Sequence, residues 1–242
     1  SGGPLECYVQ RHESSQRHGS VLVVKFPGTS GRAEQSTGLP LSLLPEVGGS
    51  TWTWNPPGYG GSSGRASLPL FAAAAIELTR QVIEREADDD TTIWLAGNSL
   101  GCATAMNVAA ALEFDHHRTG LVLRNPPPLV DVVKHVAGQY PLGRLLHRLA
   151  ESVHAPMNVL KTATQVQLPA VFFQSGADTL VPPEMQRRVI EAYGGEHQVI
   201  VMQDLSHDGV ADSKHEQEMR RSLHWLLQQT GYLHSQILNE PA

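Results

Sequence analysis

The chain has 242 residues, of which 40% are hydrophobic and 17% charged, a composition typical of a folded globular protein and not of a disordered or fibrous one. This length is enough for one domain to bury a sizeable core without disulfides or metal. The formal net charge of −6 at pH 7 argues against nucleic acid or an anionic membrane as the main partner, because phosphate groups are repelled on average.

The cysteine content and the hydropathy of the sequence indicate in which cellular compartment the protein is expected. The chain has 2 cysteines, Cys7 and Cys102, so no disulfide framework is implied and a reducing, cytoplasmic compartment is the simpler expectation. No apolar run approaches the ~18 residues of a membrane-spanning helix, and the first residues show no signal peptide. We therefore expect a cytoplasmic protein without a membrane span, and the sequence leaves its oligomeric state open.

Extended and helical patterns alternate along the chain. A β-branched and aromatic run at 21–26 predicts a strand buried on both faces of a parallel sheet, and 51–54 predicts a second strand. Apolar residues with helical spacing predict a helix from about 68 to 86. The later predicted elements are a strand at 91–96, a helix at 100–112, strands at 120–124 and 170–174, a helix at 184–193, a strand at 198–202 and a closing helix around 219–227.

This alternation predicts an α/β fold, with a mostly parallel, twisted sheet and helices on both faces. The reason is that each connection between parallel strands has to travel back along the sheet. The stretch 5–18 is a candidate edge strand.

Residues 127–166 interrupt the alternation. An insertion after the carboxyl end of a strand lies over the edge where α/β proteins bind ligands, so we predict a small helical lid within a single domain, 1–242. An ordinary pair of crossover helices packed on the sheet is the alternative. Two sets of apolar residues with helical spacing indicate the two helices: Leu129, Val132, Val133 and Val136, then Leu142, Leu145, Leu146 and Leu149.

A candidate nucleophile lies in the segment Gly97-Asn98-Ser99-Leu100-Gly101. In Gly-x-Ser-x-Gly, small flanking residues let the chain turn sharply from strand to helix and expose the serine hydroxyl. Ser99 follows the predicted strand 91–96 directly and precedes an alanine-rich helical segment, which is the context that this motif needs. Ser62 has the same spacing of glycines, but it follows a loop rich in proline and glycine, so we interpret it as a chance match.

A serine nucleophile needs a histidine to accept its proton and an acid to orient that histidine. Of the 12 histidines, His207 follows the last predicted strand directly, at the sheet edge where Ser99 is expected. Asp178 follows the strand 170–174 at the same edge. The sequence therefore predicts a triad of Ser99, Asp178 and His207, in that chain order.

Acyl transfer also needs donors for the oxyanion that forms when the serine attacks. The backbone N–H of Leu100, directly after the nucleophile, is one candidate. The second is expected in the loop after the first firm strand, and we assign it to Thr29. Cys102 is interpreted as buried helix packing, and His116 and His117 as a solvated helix end, not as metal ligands.

Together these motifs resemble the α/β-hydrolase superfamily of serine hydrolases over about residues 20–230. Gly-Tyr-Gly-Gly-Ser at 58–62 and Gly-Ala-Asp-Thr-Leu-Val-Pro at 176–182 are most similar to its small-lid group, which includes depalmitoylases and other ester and thioester hydrolases. The chain departs from that pattern where Phe26-Pro27-Gly28 replaces a His-Gly pair and where Ser206 replaces the glycine before His207. The resemblance implies no cofactor and no metal.

The sequence thus predicts a hydrolase that cleaves a carboxylic ester or thioester, a small-molecule substrate with an apolar group, through an acyl-enzyme on Ser99. Two alternatives remain at this point. One is a hydrolase-fold protein that binds a ligand or partner without turnover. The other is a peptidase or carbon-carbon bond hydrolase that uses the same triad.

Overall fold

The computed structural model describes residues 3–14, 19–29, 31–138 and 157–232. Strands in this part of the chain are β1 (Cys7–His12), β2 (Ser20–Phe26), β3 (Gly49–Trp54), β4 (Thr91–Asn98), β5 (Thr119–Arg124), β6 (Ala170–Ser175) and β7 (His197–Met202). They form one sheet in the order β1-β3-β2-β4-β5-β6-β7. β1 runs antiparallel to β3, and all other neighbouring strands are parallel.

Helices connect most of these strands. The α-helices within the described ranges are α1 (Leu68–Glu86), α2 (Leu100–Ala111), α3 (Leu129–Gly138), α4 (Val159–Ala163), α5 (Pro183–Glu191) and α6 (Ser213–Gln229). The α/β architecture predicted from the sequence is therefore confirmed. The candidate edge strand in the stretch 5–18 corresponds to β1, which lies at the edge of the sheet.

Two apolar cores lie on opposite faces of the sheet. Alternate residues of a strand point to opposite faces. In β2, accordingly, Leu22 and Val24 pack in the core that α1, α2 and α4 cover, whereas Val21 and Val23 pack in the core that α6 covers. Burial on both faces explains why β2 is a nearly continuous apolar run.

In its described residues, the connection from β2 to β3 contains no α-helix. It is built from two 3-10 helices, Ala33–Gln35 and Leu41–Leu43, and it covers the α6 face of the sheet with a few buried apolar side chains. A short 3-10 segment covers less of a sheet than a full helix, and a cavity lies between this connection and the sheet.

The predicted lid is described only in part. Its first helix is α3, which carries the predicted Leu129, Val132 and Val133. At the other end of the insertion, Val159 and Ala163 of α4 are buried in the core beside α2. The second predicted lid helix, with Leu142, Leu145, Leu146 and Leu149, lies outside the described residues.

No helix of the described residues is long and apolar enough to cross a bilayer.

Candidate active site

Ser99 occupies the turn between β4 and α2. Its backbone angles, φ 52° and ψ −121°, lie in a region that side-chain-bearing residues rarely adopt, so the turn is strained. Neighbouring backbone leaves no room for a Cβ atom at Gly101, where it would overlap the carbonyl of Phe26. The glycine of the motif therefore lets β2 approach the start of α2 closely, as the strand-turn-helix interpretation requires.

Asp178 and His207 form a direct pair. His207 Nδ1 lies 2.7 Å from Asp178 Oδ2, although 29 residues separate the two in sequence. The side chain of Asp178 is fully buried and that of His207 is 12% exposed. An acid that bonds Nδ1 fixes the ring so that Nε2 is free to accept a proton. The structure thus brings together the predicted acid and the predicted base.

Backbone N–H groups hold the other oxygen of Asp178. Oδ1 accepts hydrogen bonds from Leu180 N at 2.9 Å and Val181 N at 2.8 Å. These two hydrogen bonds fix the orientation of the carboxylate next to His207.

Ser99 lies close to the segment that bonds the His207 loop, but its hydroxyl forms no hydrogen bond with His207 or Asp178. Ser99 N donates to Arg124 O at 2.9 Å, and the next residue, Asn125, bonds the loop of His207. Among the residues that the structure describes, Ser99 Oγ forms no hydrogen bond. The predicted nucleophile and base thus occupy neighbouring segments at one sheet edge without a hydrogen bond between them.

Asn125 lies at the candidate site, and the sequence analysis missed it. It is fully buried and has a φ of 54°. Its Oδ1 accepts from Ser175 N at 2.9 Å, and its Nδ2 donates to His207 O at 3.1 Å. Asn125 therefore joins the ends of β5 and β6 to the loop that carries the base. Asparagine tolerates this left-handed backbone better than most residues, so an asparagine before Pro126 at a strand end was the available signal.

Gln186 is a second residue that the sequence analysis missed. Its Nε2 donates to Asp178 Oδ2 at 3.1 Å and to Val181 O at 2.8 Å, and the residue is fully buried. Gln186 lies in α5, one turn into the helix that follows the Asp178 loop. It holds the oxygen that also bonds His207, so it orients the pair without touching the predicted nucleophile.

The two predicted oxyanion donors lie on the two segments that flank Ser99. A Cβ placed on Gly28 would lie 3.5 Å from the Cβ of Ser99, so the loop after β2 contacts the nucleophile turn through Gly28. Thr29, the predicted donor, follows directly and is exposed. Within the described chain, the backbone N–H groups of Gly28, Thr29 and Leu100 donate no backbone hydrogen bond, so all three are available to an oxyanion.

The second Gly-x-Ser-x-Gly segment has a structural role. Ser62 is buried, and its Oγ donates to Asn55 O and accepts from Glu6 N at 2.9 Å. Both hydrogen bonds tie the loop after β3 to the residue before β1. This hydroxyl is engaged and enclosed, which agrees with the interpretation of Ser62 as a chance match.

Cys102 is buried and unreactive in character. Its Sγ contacts the carbonyl oxygens of Gly97 at 3.3 Å and Arg124 at 3.0 Å. Burial raises the pKa of the thiol, which suppresses the thiolate. In the described ranges, no group of three or more His, Cys, Asp or Glu side chains is placed to hold a metal ion.

Comparison with known sequences gives relatives of low identity. No family model matches the chain. An uncharacterized protein of Mycobacterium tuberculosis, found in two strains, is 27% identical over 197 residues, which cover 81% of this chain and 66% of that protein. The chain thus spans just under two thirds of the curated relatives that it matches.

Comparison with solved structures defines the fold. An acetyl xylan esterase from Paenibacillus sp. R4 superposes with a TM-score of 0.69 at 17% identity, over 92% of this chain and 79% of that one. Est1E from Butyrivibrio proteoclasticus, bound to ferulic acid, gives 0.66 at 17% identity, over 93% and 95%. A monoacylglycerol lipase from Paleococcus ferrophilus gives 0.59 at 20% identity, over 93% and 99%. The chain has the α/β-hydrolase fold that these esterases and lipases share.

Proposed function

We propose that this protein is a serine hydrolase that cleaves a carboxylic ester or thioester, with Ser99 as nucleophile, His207 as base and Asp178 as orienting acid. The observation that carries the proposal is the 2.7 Å contact between His207 Nδ1 and the buried Asp178, at the sheet edge where Ser99 turns from β4 into α2. Each of the three residues follows a different strand of the sheet, which supports a shared site at this edge.

The proposed reaction has two halves. Ser99 Oγ attacks the carbonyl carbon while His207 Nε2 takes the hydroxyl proton, and the oxyanion accepts hydrogen bonds from Leu100 N–H and from the Thr29 loop. His207 then returns the proton to the leaving alcohol or thiol, which departs and leaves an acyl-enzyme. Water, deprotonated by His207, attacks the acyl carbon, and collapse of the second intermediate releases the acid and restores Ser99.

The hydroxyl has to form a hydrogen bond with His207 before it reacts. In proteins without substrate, catalytic hydrogen bonds are often long and tighten only in the reacting complex. The lack of a hydrogen bond on Ser99 Oγ within the described residues is therefore compatible with the proposed role.

A small ester with an apolar group is the proposed substrate. The solved structures with this fold include an acetyl xylan esterase, Est1E bound to ferulic acid and a monoacylglycerol lipase, whose names refer to an acetyl ester, an aromatic acid and an acylglycerol. In α3, Leu129 and Val132 are half-buried and Val133 is 37% exposed, so this helix leaves apolar surface beside the described core. Such surface suits an acyl chain or an aromatic group.

Hydrolysis of p-nitrophenyl esters of graded chain length, with matched thioesters and aminoacyl amides, tests the proposal and separates the ester from the peptidase alternative. We expect ester or thioester turnover that falls by roughly 10⁴-fold in Ser99→Ala. Ser62→Ala is the matched control, because it removes the serine of the other Gly-x-Ser-x-Gly segment and should retain turnover. Equal activity in Ser99→Ala and the parent would refute the proposal.

A binding protein without turnover is the second candidate. It is favoured by Phe26-Pro27-Gly28 in place of the family's His-Gly pair, beside a Ser99 hydroxyl that forms no hydrogen bond among the described residues. Under this candidate no ester in the panel is cleaved by a folded protein.

A further inference from the structure

A pocket of about 320 Å³ lies on the α6 face of the sheet, beneath the 3-10 connection from β2 to β3. Its volume falls within the roughly 300–1,000 Å³ of small-molecule sites. Ser99 does not line it. Its wall includes Gly28 and Asn98, however, and these two residues flank the Ser99 turn. The pocket therefore adjoins the proposed catalytic site, although Ser99 is not part of its wall.

The wall of this pocket is positively charged. Lys25, Arg32 and Arg124 line it, and no aspartate or glutamate does so among the described residues. The whole chain carries a formal charge of −6, so three basic residues on one wall run against the average composition, although Arg32 is also paired with Glu34, Nη1 to Oε1 at 3.5 Å. Enclosed basic groups attract and hold anions more strongly than the same groups in open solvent.

The ammonium group of Lys25 is fixed by two hydrogen bonds and keeps one N–H group free for a ligand. Its ammonium donates to Thr37 O at 2.8 Å and to Thr37 Oγ1 at 3.4 Å, and it forms no ion pair within the described chain. An ammonium has three N–H groups, so one remains for a ligand. Burial lowers the pKa of Lys25 to about 8, which is the mark of a desolvated cation without a carboxylate partner.

Arg124, at the end of β5, also has unused donors. Its Nη2 donates to Gly209 O at 2.5 Å, while its buried Nε has no hydrogen-bond partner among the described residues. Burial lowers the pKa of Arg124, against the opposing charges of Asp208 and Asp178. A buried N–H without a partner is unfavourable, so a ligand that reaches it and accepts its hydrogen bond is favoured.

We propose that this pocket binds the carboxylate or phosphate group of a small organic anion, with Lys25 and Arg124 as its charged ligands. Apolar side chains complete the wall and fit a compact apolar body, such as an aromatic ring, next to the acidic group. These side chains are Pro27, Leu39, Val122, Phe173 and Met219.

The anion can come from two sources. In the first case, the anion is an acidic group on the substrate or product of the hydrolysis. In the second case, it is a separate effector molecule. Both sources would act on the same two segments, because Gly28 contacts the Ser99 turn and Arg124 bonds Gly209, two residues after His207. Binding itself does not depend on the proposed hydrolysis, and Ser99→Ala leaves the wall of the pocket intact.

Calorimetric titration of the full chain and of Ser99→Ala at pH 7 tests the site. The probes are benzoate and phenyl phosphate, with benzamide as the neutral control of the same shape. We expect saturable binding of both anions to both proteins, and at least tenfold weaker binding of benzamide. Equal binding of benzoate and benzamide, or no binding of either anion, would overturn the proposal.

Two test substitutions, each with a control, locate the anion site. Lys25→Met should weaken benzoate binding at least tenfold, whereas Lys161→Met, which removes an exposed lysine outside the pocket, should not change it. Thr37→Glu, on an exposed residue beside Lys25, places a competing carboxylate at the pocket and should weaken binding as well. Thr37→Gln is its uncharged control. The two Thr37 variants test the pocket even if Lys25→Met fails to fold. Unchanged benzoate binding in Thr37→Glu would contradict an anion site at this pocket.

Hydrolysis measurements distinguish the two sources where turnover is found. If the substrate carries the anion, KM for p-nitrophenyl hydrogen succinate rises in Lys25→Met, KM for p-nitrophenyl butyrate is unchanged, and benzoate competes with the acidic ester. If the anion is an effector, benzoate changes kcat for the neutral butyrate in a saturable way that Lys25→Met abolishes. Failure of the proposed hydrolysis leaves the titration result standing.

Discussion

The side-chain amide of Asn125 donates a hydrogen bond of 3.1 Å to the carbonyl oxygen of His207, 82 residues further along the chain. The same amide accepts from Ser175 N at 2.9 Å. One fully buried side chain therefore fixes the loop of the proposed base relative to the ends of β5 and β6. A shift of this loop would move His207 relative to Ser99, and catalysis is sensitive to such displacements.

Asn125→Asp tests this positioning role. Aspartate tolerates the same backbone and still accepts from Ser175 N, but its carboxylate cannot donate to His207 O and is repelled by it. We expect kcat for the best ester to fall about tenfold or more, with KM nearly unchanged, in a protein that still folds. Asn158→Asp, at the N-cap position of α4 where the asparagine side chain forms no capping hydrogen bond, is the control. A drop in stability alone, with kcat intact, would contradict the role.

Gln186→Met tests the support of the acid. The change removes the donor to Asp178 Oδ2 and leaves Val181 O without that partner, so we expect a loss of about 1–3 kcal/mol in unfolding free energy. Because the freed carboxylate holds His207 less firmly, kcat should also fall at temperatures where the variant is folded. The control is Gln228→Met, on an exposed position. Denaturant titration with steady-state kinetics provides both readouts, and an unchanged kcat would show that Gln186 has only a structural role.

Much of the fold was predictable because it is encoded in local patterns. The apolar spacing that predicted a helix from about 68 to 86 corresponds to α1, Leu68–Glu86, with Ser67 as its N-cap. The buried runs became the parallel strands, and the order of strands placed Asp178 beside His207. Each of these features follows from residues close together in sequence and from the geometry of parallel sheets.

Contacts between distant side chains were not predictable in the same way. Asn125 and Gln186 have no periodic signal, since their roles arise only when separate loops meet at the sheet edge. The pocket around Lys25 likewise depends on a connection that covers β2 without a helix. In the sequence, the one signal of this pocket was an isolated lysine in an apolar strand. The same signal is equally compatible with an ordinary solvated lysine.

Ser99→Gly separates strain from function. Glycine adopts a positive φ with no steric penalty, so replacing Ser99, at φ 52°, should raise the unfolding free energy by about 1 kcal/mol while hydrolysis is lost. Ser99→Ala, which keeps the strained backbone, should show the same loss of hydrolysis without the gain. Chemical denaturation of the two variants against the parent measures the difference, and a less stable Ser99→Gly would argue against stored strain at this turn.

Anion binding should depend on pH through Lys25. Because burial lowers the pKa of Lys25 to about 8, the ammonium is present at pH 7 and is lost as the pH rises through that value. Arg124, the second proposed ligand, carries a guanidinium group, which stays charged over this range. Benzoate affinity should therefore fall between pH 7 and 9, and this fall should be absent in Lys25→Met. A bound anion favours the charged form, so the midpoint should lie above 8 in the complex.

The same group has a predictable effect on stability. Between about pH 8 and 10.5 the unfolded chain binds a proton at Lys25 that the folded chain has lost, so the contribution of Lys25 to the unfolding free energy rises with pH over this window. Lys25→Met should accordingly exceed the parent in stability by roughly 3 kcal/mol at pH 7 and by much less near pH 10.5. A constant difference would indicate that Lys25 titrates normally.

Reaction with a fluorophosphonate, followed by intact mass and peptide mapping, tests the proposed nucleophile most directly. The proposed mechanism predicts one adduct per chain, on Ser99, absent from Ser99→Ala, retained in Ser62→Ala and formed far more slowly in His207→Asn, since the hydroxyl then lacks its base. A folded protein that stays unmodified at Ser99, or that carries the adduct on Ser62, would contradict it.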